Sequence, residues 1–317
     1  MPFLITLHTA LAWLGRQGTR ALAVSIFLGL AVPSLAAYVK PYLGATVFVL
    51  LVFSYLRTDR TALRRYIRSP GLTVVASLWV MAVLPLLFGT IYVVAGIREV
   101  SPALFTIMIL QSAITPITSA AAFAALMGLD VALSLAVLVL SNALSPITTV
   151  AFSYLFLGTS LFSPVDLGLR LFALFAGAGA VAYGIERLAG RRRIDRQKDV
   201  IDGLNVIAVF VFAVAAMESV PRHMLADPSF ALELFALTVA LTVVSIAASM
   251  LVFWRAGLDR GLAIGVLAAF RNIGAIMAVV GTTLPDLAWF YFAMAQFPIF
   301  LLPAVLQPMA RRWAEKR

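Results

Sequence analysis

Cysteine is absent from the chain, which excludes disulfide staples and thiolate-ligated metal centres. Histidine is nearly absent: His8 and His223 are the only two. Both fall outside the long apolar segments, so neither an HExxH zinc site nor a histidine-activated nucleophile can be built inside them. Ser112, Ser119, Ser134, Ser141 and Ser145 have no base in view, and no paired carboxylates fall at mid-segment. The sequence reads as non-enzymatic, with no cofactor. Charge is scarce too: Asp, Glu, Lys and Arg make up 12% of 317 residues, about half the share usual in a soluble domain. Alternating runs of about ten residues are missing, which excludes an outer-membrane barrel. The opening MPFLITLHTALAWLGRQGTR lacks the basic start and small-residue cleavage site of a signal peptide, and reads as an interfacial helix.

What remains is apolar. Hydrophobic residues make up 62% of the chain, and the mean hydropathy is +1.02. Segments of roughly 16 to 28 apolar residues, each able to cross about 30 Å of hydrocarbon, alternate with short charged connections. We expect an all-α polytopic membrane protein with ten spans, at 21–37, 42–55, 71–95, 102–127, 131–157, 165–185, 201–217, 229–254, 261–280 and 287–309.

The net charge of +10 lies in the connections, so nucleic acid is not the expected partner. Arg16 and Arg20 precede the first span, and Arg57, Arg60, Arg64, Arg65 and Arg68 follow the second. Arg191, Arg192, Arg193, Arg196 and Lys198 follow the sixth, Arg255 and Arg260 the eighth, and Arg311, Arg312, Lys316 and Arg317 end the chain. With ten spans all five clusters fall on one side. The positive-inside rule makes that side the cytoplasm, with both termini there and the protein in the plasma (inner) membrane.

Ten spans divide as 1–158 and 159–317. An odd number per half predicts two inverted five-span repeats, the plan of many secondary transporters. The fourth span of each half is interrupted. ITPITSA, Ile114 to Ala120, sets Pro116 between Thr115, Thr118 and Ser119. Proline removes a backbone donor and opens the helix, while nearby hydroxyls can satisfy the freed groups. FRNIG, Phe270 to Gly274, carries Asn272 and Gly274, which tolerate irregular backbone. Interruptions at matching positions are the best sequence pointer to a transporter's midplane site. Pro85, Pro146, Pro298 and Pro303 read only as kinks. SNALSPITT, Ser141 to Thr149, reads as small-residue helix packing.

Arg271 stands in the middle of LAAFRNIGAIM, Leu267 to Met277. Its head group is about 15 Å from either interface, beyond the reach of snorkelling. An arginine there costs about 2.5–3.5 kcal/mol on insertion scales, so something polar must receive it. The sequence leaves three partners open: carbonyls at the open end of the broken fourth span, an anionic substrate, or water in a cavity.

SAITPITSAAAFAALMGLDVALSLAVLVLSNALSPITT across spans four and five, with GVLAAFRNIGAIMAVV in span nine, resembles the bile acid:sodium symporter family. GLDVALS matches the family's turn into span five, and Asn272 and Gly274 match the end of its span-nine motif. The resemblance implies a core of spans 3–5 and 8–10, a panel of spans 1, 2, 6 and 7, substrate in the crevice between them, and alternating access. It also implies an organic anion as substrate, with contacts carried by position onto Thr118, Ser119, Asn272, Gly274 and Gln296. Thr115 and Arg271 join that set from the reading of the two breaks.

The departures from the family concern sodium. Its oxygen ligands align here with Val80 in span three, Ala120 and Ala121 in span four, Leu138 in span five, and Leu267 and Arg271 in span nine; only Ser134 is retained. We therefore expect no metal site, sodium-independent operation, and Arg271 as a fixed cation where relatives bind an ion. An auxin-efflux-type carrier, a proton-coupled carboxylate carrier and a membrane receptor or scaffold are the alternatives.

Overall fold

The computed structural model describes residues 9–14, 27, 30–58, 70–158 and 163–314. Of the first expected span, 21–37, residues 21–26, 28 and 29 lie outside the described residues. Most of the expected interfacial helix at 1–20 also lies outside them, as do the basic residues Arg16, Arg20, Arg60, Arg64, Arg65, Arg68, Lys316 and Arg317.

The described elements in chain order are α1 Pro33–Val39, α2 Leu43–Arg57, α3 Gly71–Leu78, α4 Leu84–Val94, α5 Ile97–Val100, α6 Pro102–Ala113, α7 Ala120–Leu126 and α8 Val131–Leu157. They continue with α9 Pro164–Ala189, α10 Arg191–Arg196, α11 Lys198–Ala216, α12 Val220–Ala226, α13 Pro228–Val252, α14 Leu258–Ala269, α15 Ile273–Val280 and α16 Asp286–Ala314. Among the described residues there is no β-strand, only one isolated bridge.

Among the described residues, seven helical stretches are long and apolar enough to cross a membrane: Ser34–Arg57, Gly71–Val94, Val131–Leu157, Pro164–Ala189, Lys198–Ala226, Pro228–Val252 and Asp286–Gln307. They make this an all-helical integral membrane protein, as composition required. The fourth and ninth expected spans are not continuous helices. Each consists of two short helices, α6 with α7 and α14 with α15, separated by Ile114–Ser119 and by Phe270–Asn272.

Contacts divide the chain into two compact units, each assembled from two distant stretches. One contains residues up to Thr58 with Ala173–Pro228, the other Asp59–Phe172 with Ser229–Arg317. In the first, α2 packs against α11 and is pinned at both ends. Lys40 Nζ meets Glu218 at 2.9 Å, and Arg57 Nε meets Asp202 at 2.7 Å. Arg191 donates to the carbonyls of Leu56 and Thr58, so the last turn of α2 ends against a cation, where the helix dipole favours one.

The second unit holds both split helices. Local chemistry sets their limits. Ser101 caps α6 by accepting from Leu104 N–H, and Asp130 caps α8 by accepting from Leu133 N–H at 2.9 Å. Asn272 does the same for α15, accepting from Ala275 N–H at 3.2 Å. The expected use of Gly274 differs from the one observed: it is buried inside α15 and the irregular residues precede it.

Gly261 and Gly265 are four apart in GLAIG and lie on the face of α14 turned to α13. A Cβ on Gly265 would come 3.1 Å from both Cα and O of Ile246, whereas one on Gly261 would meet Met250 Cα at an ordinary 3.5 Å. Small residues at this spacing let two membrane helices approach backbone to backbone. Gly265→Leu is therefore expected to lose about 1–3 kcal/mol by overpacking, and Gly261→Ala much less. Thermal unfolding of the two purified variants in one detergent measures the contrast; equal midpoints would reject the close approach.

Candidate functional site

The two breaks meet. Pro116 and Arg271 form an antiparallel bridge, flanked by Ile117 N–H donating to Phe270 O at 2.7 Å and Asn272 N–H donating to Thr115 O at 2.8 Å. Pro116 thus occupies the position of the pair whose own N–H would point away from the partner strand. The missing donor removes nothing from the bridge.

Breaking helices inside hydrocarbon leaves carbonyls without donors. Around this crossing there are three such carbonyls, each freed for its own reason. Ile114 O lies just past the end of α6, where the chain has turned extended. Ala268 O would normally accept from the N–H four residues on, but Asn272 N–H has gone across the bridge to Thr115. Val80 O lies in a π-helical turn, Trp79–Val83, that joins α3 to α4. Leu84 N–H there bonds five residues back to Trp79 O. Val80 should by the same register receive the next N–H, but the next residue is Pro85, which has none.

Arg271 takes all three. Its Nε donates to Ala268 O at 2.8 Å, one terminal nitrogen to Ile114 O at 2.9 Å, and the other to Val80 O at 2.8 Å. The nitrogen on Ile114 also lies 3.9 Å from Met81 Sδ. The residue is 3% exposed. Hydrogen bonds to a charged group contribute about 1.5–3 kcal/mol each, and an unsatisfied buried carbonyl costs about 1–3 kcal/mol. Three such bonds outweigh an insertion cost of about 2.5–3.5 kcal/mol, so the arginine stays in the interior. Of the partners left open by the sequence, carbonyls at the broken fourth span are present, joined by two others.

The rest of the α6 end is closed by α8. Asn142, Ser145 and Thr149 are three and four apart and share one helix face. Thr115 Oγ1 donates to Asn142 Oδ1 at 2.7 Å, and Thr115 N–H donates to Ser145 Oγ at 3.3 Å. Ser145 Oγ is 3.2 Å from Thr149 Oγ1, which donates to Ala113 O at 3.1 Å. The SNALSPITT segment is thus packing, as expected, but packing that satisfies a broken backbone.

The residues expected to touch substrate separate into two groups. Thr115, Arg271 and Asn272 are buried and engaged in the scaffold. Thr118 and Ser119 are half-buried at the entry to α7, Gly274 is buried in α15, and Gln296 is buried in α16. Ser119 Oγ and Gln296 Oε1 are buried without a hydrogen-bond partner, while Gln296 Nε2 donates to Phe292 O at 3.1 Å. A small pocket of mixed lining adjoins the crossing, with Tyr92, Gln111, Ser112, Thr242, Ser245 and Arg271 beside Phe88 and Leu241. Arg271 alone of the expected residues reaches it.

Side chains at the positions aligned with sodium ligands, Val80, Ala120, Ala121, Leu138 and Leu267, are all buried and apolar. Ser134 Oγ donates to Asp130 O at 2.9 Å, an ordinary intrahelical bond. Sequence reading overlooked Pro85 as anything but a kink, and overlooked the Val80 carbonyl because backbone atoms have no letter of their own. The signal that could have found it is an arginine at mid-span together with a proline at mid-span elsewhere.

No protein-family model matches the chain, and no curated protein matches it either.

Replacing Asn142 by Leu leaves the Thr115 hydroxyl without its recorded acceptor, and about 1–3 kcal/mol of stability should go. Thr115→Val alone should lose a similar amount, and the double variant clearly less than the sum, because both remove one interaction. A double-mutant cycle on unfolding in detergent reads this; strict additivity would show that the pair is not coupled.

Proposed function

We propose that this protein is a secondary transporter that moves a small organic anion by alternating access without sodium, with Arg271 standing in place of a bound cation. The reading takes the chain as a divergent relative of the bile acid:sodium symporters. It comprises ten spans in two inverted repeats, 1–158 and 159–317, set in the plasma (inner) membrane with both termini cytoplasmic.

One observation carries it: the three carbonyl oxygens that converge on the crossing all accept from the Arg271 guanidinium. A hard cation needs several free oxygens. The side chains aligned with the family's ligands supply none, apart from a serine whose hydroxyl donates within its own helix. The residues therefore do not fit sodium, and no transport step is routed through it. A covalently attached charge does the bracing that a bound ion would otherwise do, and does it in every state of the cycle. Coupling to a sodium gradient is then lost, because nothing binds and leaves with the substrate.

Two further features support a carrier over a static scaffold. The chain is divided into two compact units, a construction suited to domain motion. Ser119 Oγ and Gln296 Oε1 keep buried hydrogen-bonding capacity that none of the described residues uses. With Thr118 and Gly274 they are the proposed substrate contacts, while Thr115 and Asn272 hold the backbone that presents them.

The test is uptake of a panel of labelled carboxylates and sulfonates into proteoliposomes at clamped potential. At least one anion should accumulate. Replacing sodium by choline should change its rate less than about twofold, whereas the barrier change on losing three charge-assisted bonds should lower it at least tenfold in Arg271→Gln. Arg271→Lys should fail similarly, since an ammonium lacks the planar fork that serves three acceptors. Uptake that rises steeply with sodium would reject the fixed-cation mechanism, and binding without accumulation would favour a receptor.

A further inference from the structure

We infer that the pocket beside Arg271 binds one small monovalent inorganic anion, of the size of chloride, as counter-ion to the guanidinium. The inference does not rest on the transport reading. It rests on a charge left over. The recorded partners of Arg271 are three carbonyls and a thioether, all uncharged. Among the described residues no carboxylate pairs with it. Carbonyl lone pairs satisfy N–H groups but carry no net charge. A full charge buried without an opposite charge is costly even when its hydrogen bonds are made.

The guanidinium also has donor capacity to spare. It carries five N–H groups. Three go to Ala268, Ile114 and Val80, one leans on Met81 Sδ at 3.9 Å, and one has no recorded acceptor.

Two further donors surround the same space. Gln111 Oε1 is buried without a hydrogen-bond partner, so nothing on that atom prevents the amide from turning its NH₂ inward. Ser112 spends its proton on Met108 O at 2.8 Å, so Tyr92 must be the donor in the 3.4 Å contact between their hydroxyls. A bond that long is readily exchanged for one to an anion. Arg271, Gln111 and Tyr92 all line this one pocket, where Gln111 can turn its NH₂ and Tyr92 its O–H toward an anion beside the guanidinium; the remaining wall includes Phe88 and Leu241. Apolar walls raise the value of each electrostatic contact.

Size selects the class of ion. The cavity is about 20 Å³, enough for one water-sized particle or a single small ion and far below the roughly 300–1,000 Å³ usual for organic ligands. A halide fits inside; an organic anion would reach Arg271 only by its carboxylate end.

The experiment is thermal unfolding of the full-length chain in detergent, beginning in chloride-free sodium gluconate. Titration with sodium chloride, and in parallel choline chloride, should raise the midpoint saturably by about 5 °C at roughly a hundredfold excess over Kd. Bromide should act alike. Gln111→Leu should leave the chloride-free midpoint within about 1 °C of the parent while weakening the apparent chloride affinity at least tenfold, one charge-assisted bond's worth. A flat titration overturns the inference. So does an equal rise in Gln111→Leu and Arg271→Gln, which is a general salt effect. Saturation by formate without any response to chloride also overturns it, by assigning the pocket to a carboxylate head group. No arm reads transport, so this inference and the transporter proposal can fail separately.

Discussion

The constraint on which the second unit depends is the absence of water around broken backbone. A helix interrupted in solution gives its free carbonyls to solvent, whereas one interrupted inside hydrocarbon must find donors within the protein. Three carbonyls from three different elements are left over at the crossing, and the planar guanidinium of Arg271 is able to serve all of them at once. The site is thus defined as much by what prolines and bridges withdraw as by what the arginine adds. Pro85 deprives Val80, and the cross-bridge bond from Asn272 to Thr115 deprives Ala268.

That arrangement links span three to both broken helices through one side chain. Val80 belongs to the turn between α3 and α4, Ile114 to the end of α6, and Ala268 to the end of α14. The polar face of α8 completes the enclosure through Asn142, Ser145 and Thr149. Such a hub is rigid and charged. On the transport proposal, the hub would keep the crossing intact without a bound ion, and the driving force would come from the substrate or the membrane potential. A leftover positive charge at the hub is also why an inorganic counter-ion beside it makes physical sense.

Much of this was legible in the residues themselves. Span limits for 71–95, 131–157 and 229–254 match the helices within a few residues, because uninterrupted apolarity leaves the chain no other way to satisfy its backbone. The positions of both breaks were readable from Pro116 and from Asn272 and Gly274 in FRNIG, although Gly274 itself lies inside α15. The buried arginine could be seen to need oxygen acceptors, though not which ones. The site was less legible. Thr115 read as a substrate contact from its place at the break and Asn272 from the family resemblance, yet both are engaged in holding the backbone. A hydroxyl's letter is the same whether it faces a ligand or a neighbouring helix.

What the sequence determined by itself was the solvent, the helical class and the existence of a misfit charge, because hydrophobicity and missing donors are properties of single residues. What only the tertiary structure decided was where that charge is spent. The Val80 carbonyl becomes an acceptor through a π-turn, a proline five residues on and an arginine 191 positions away. No local pattern encodes that meeting, because it is made by backbone atoms that every residue shares.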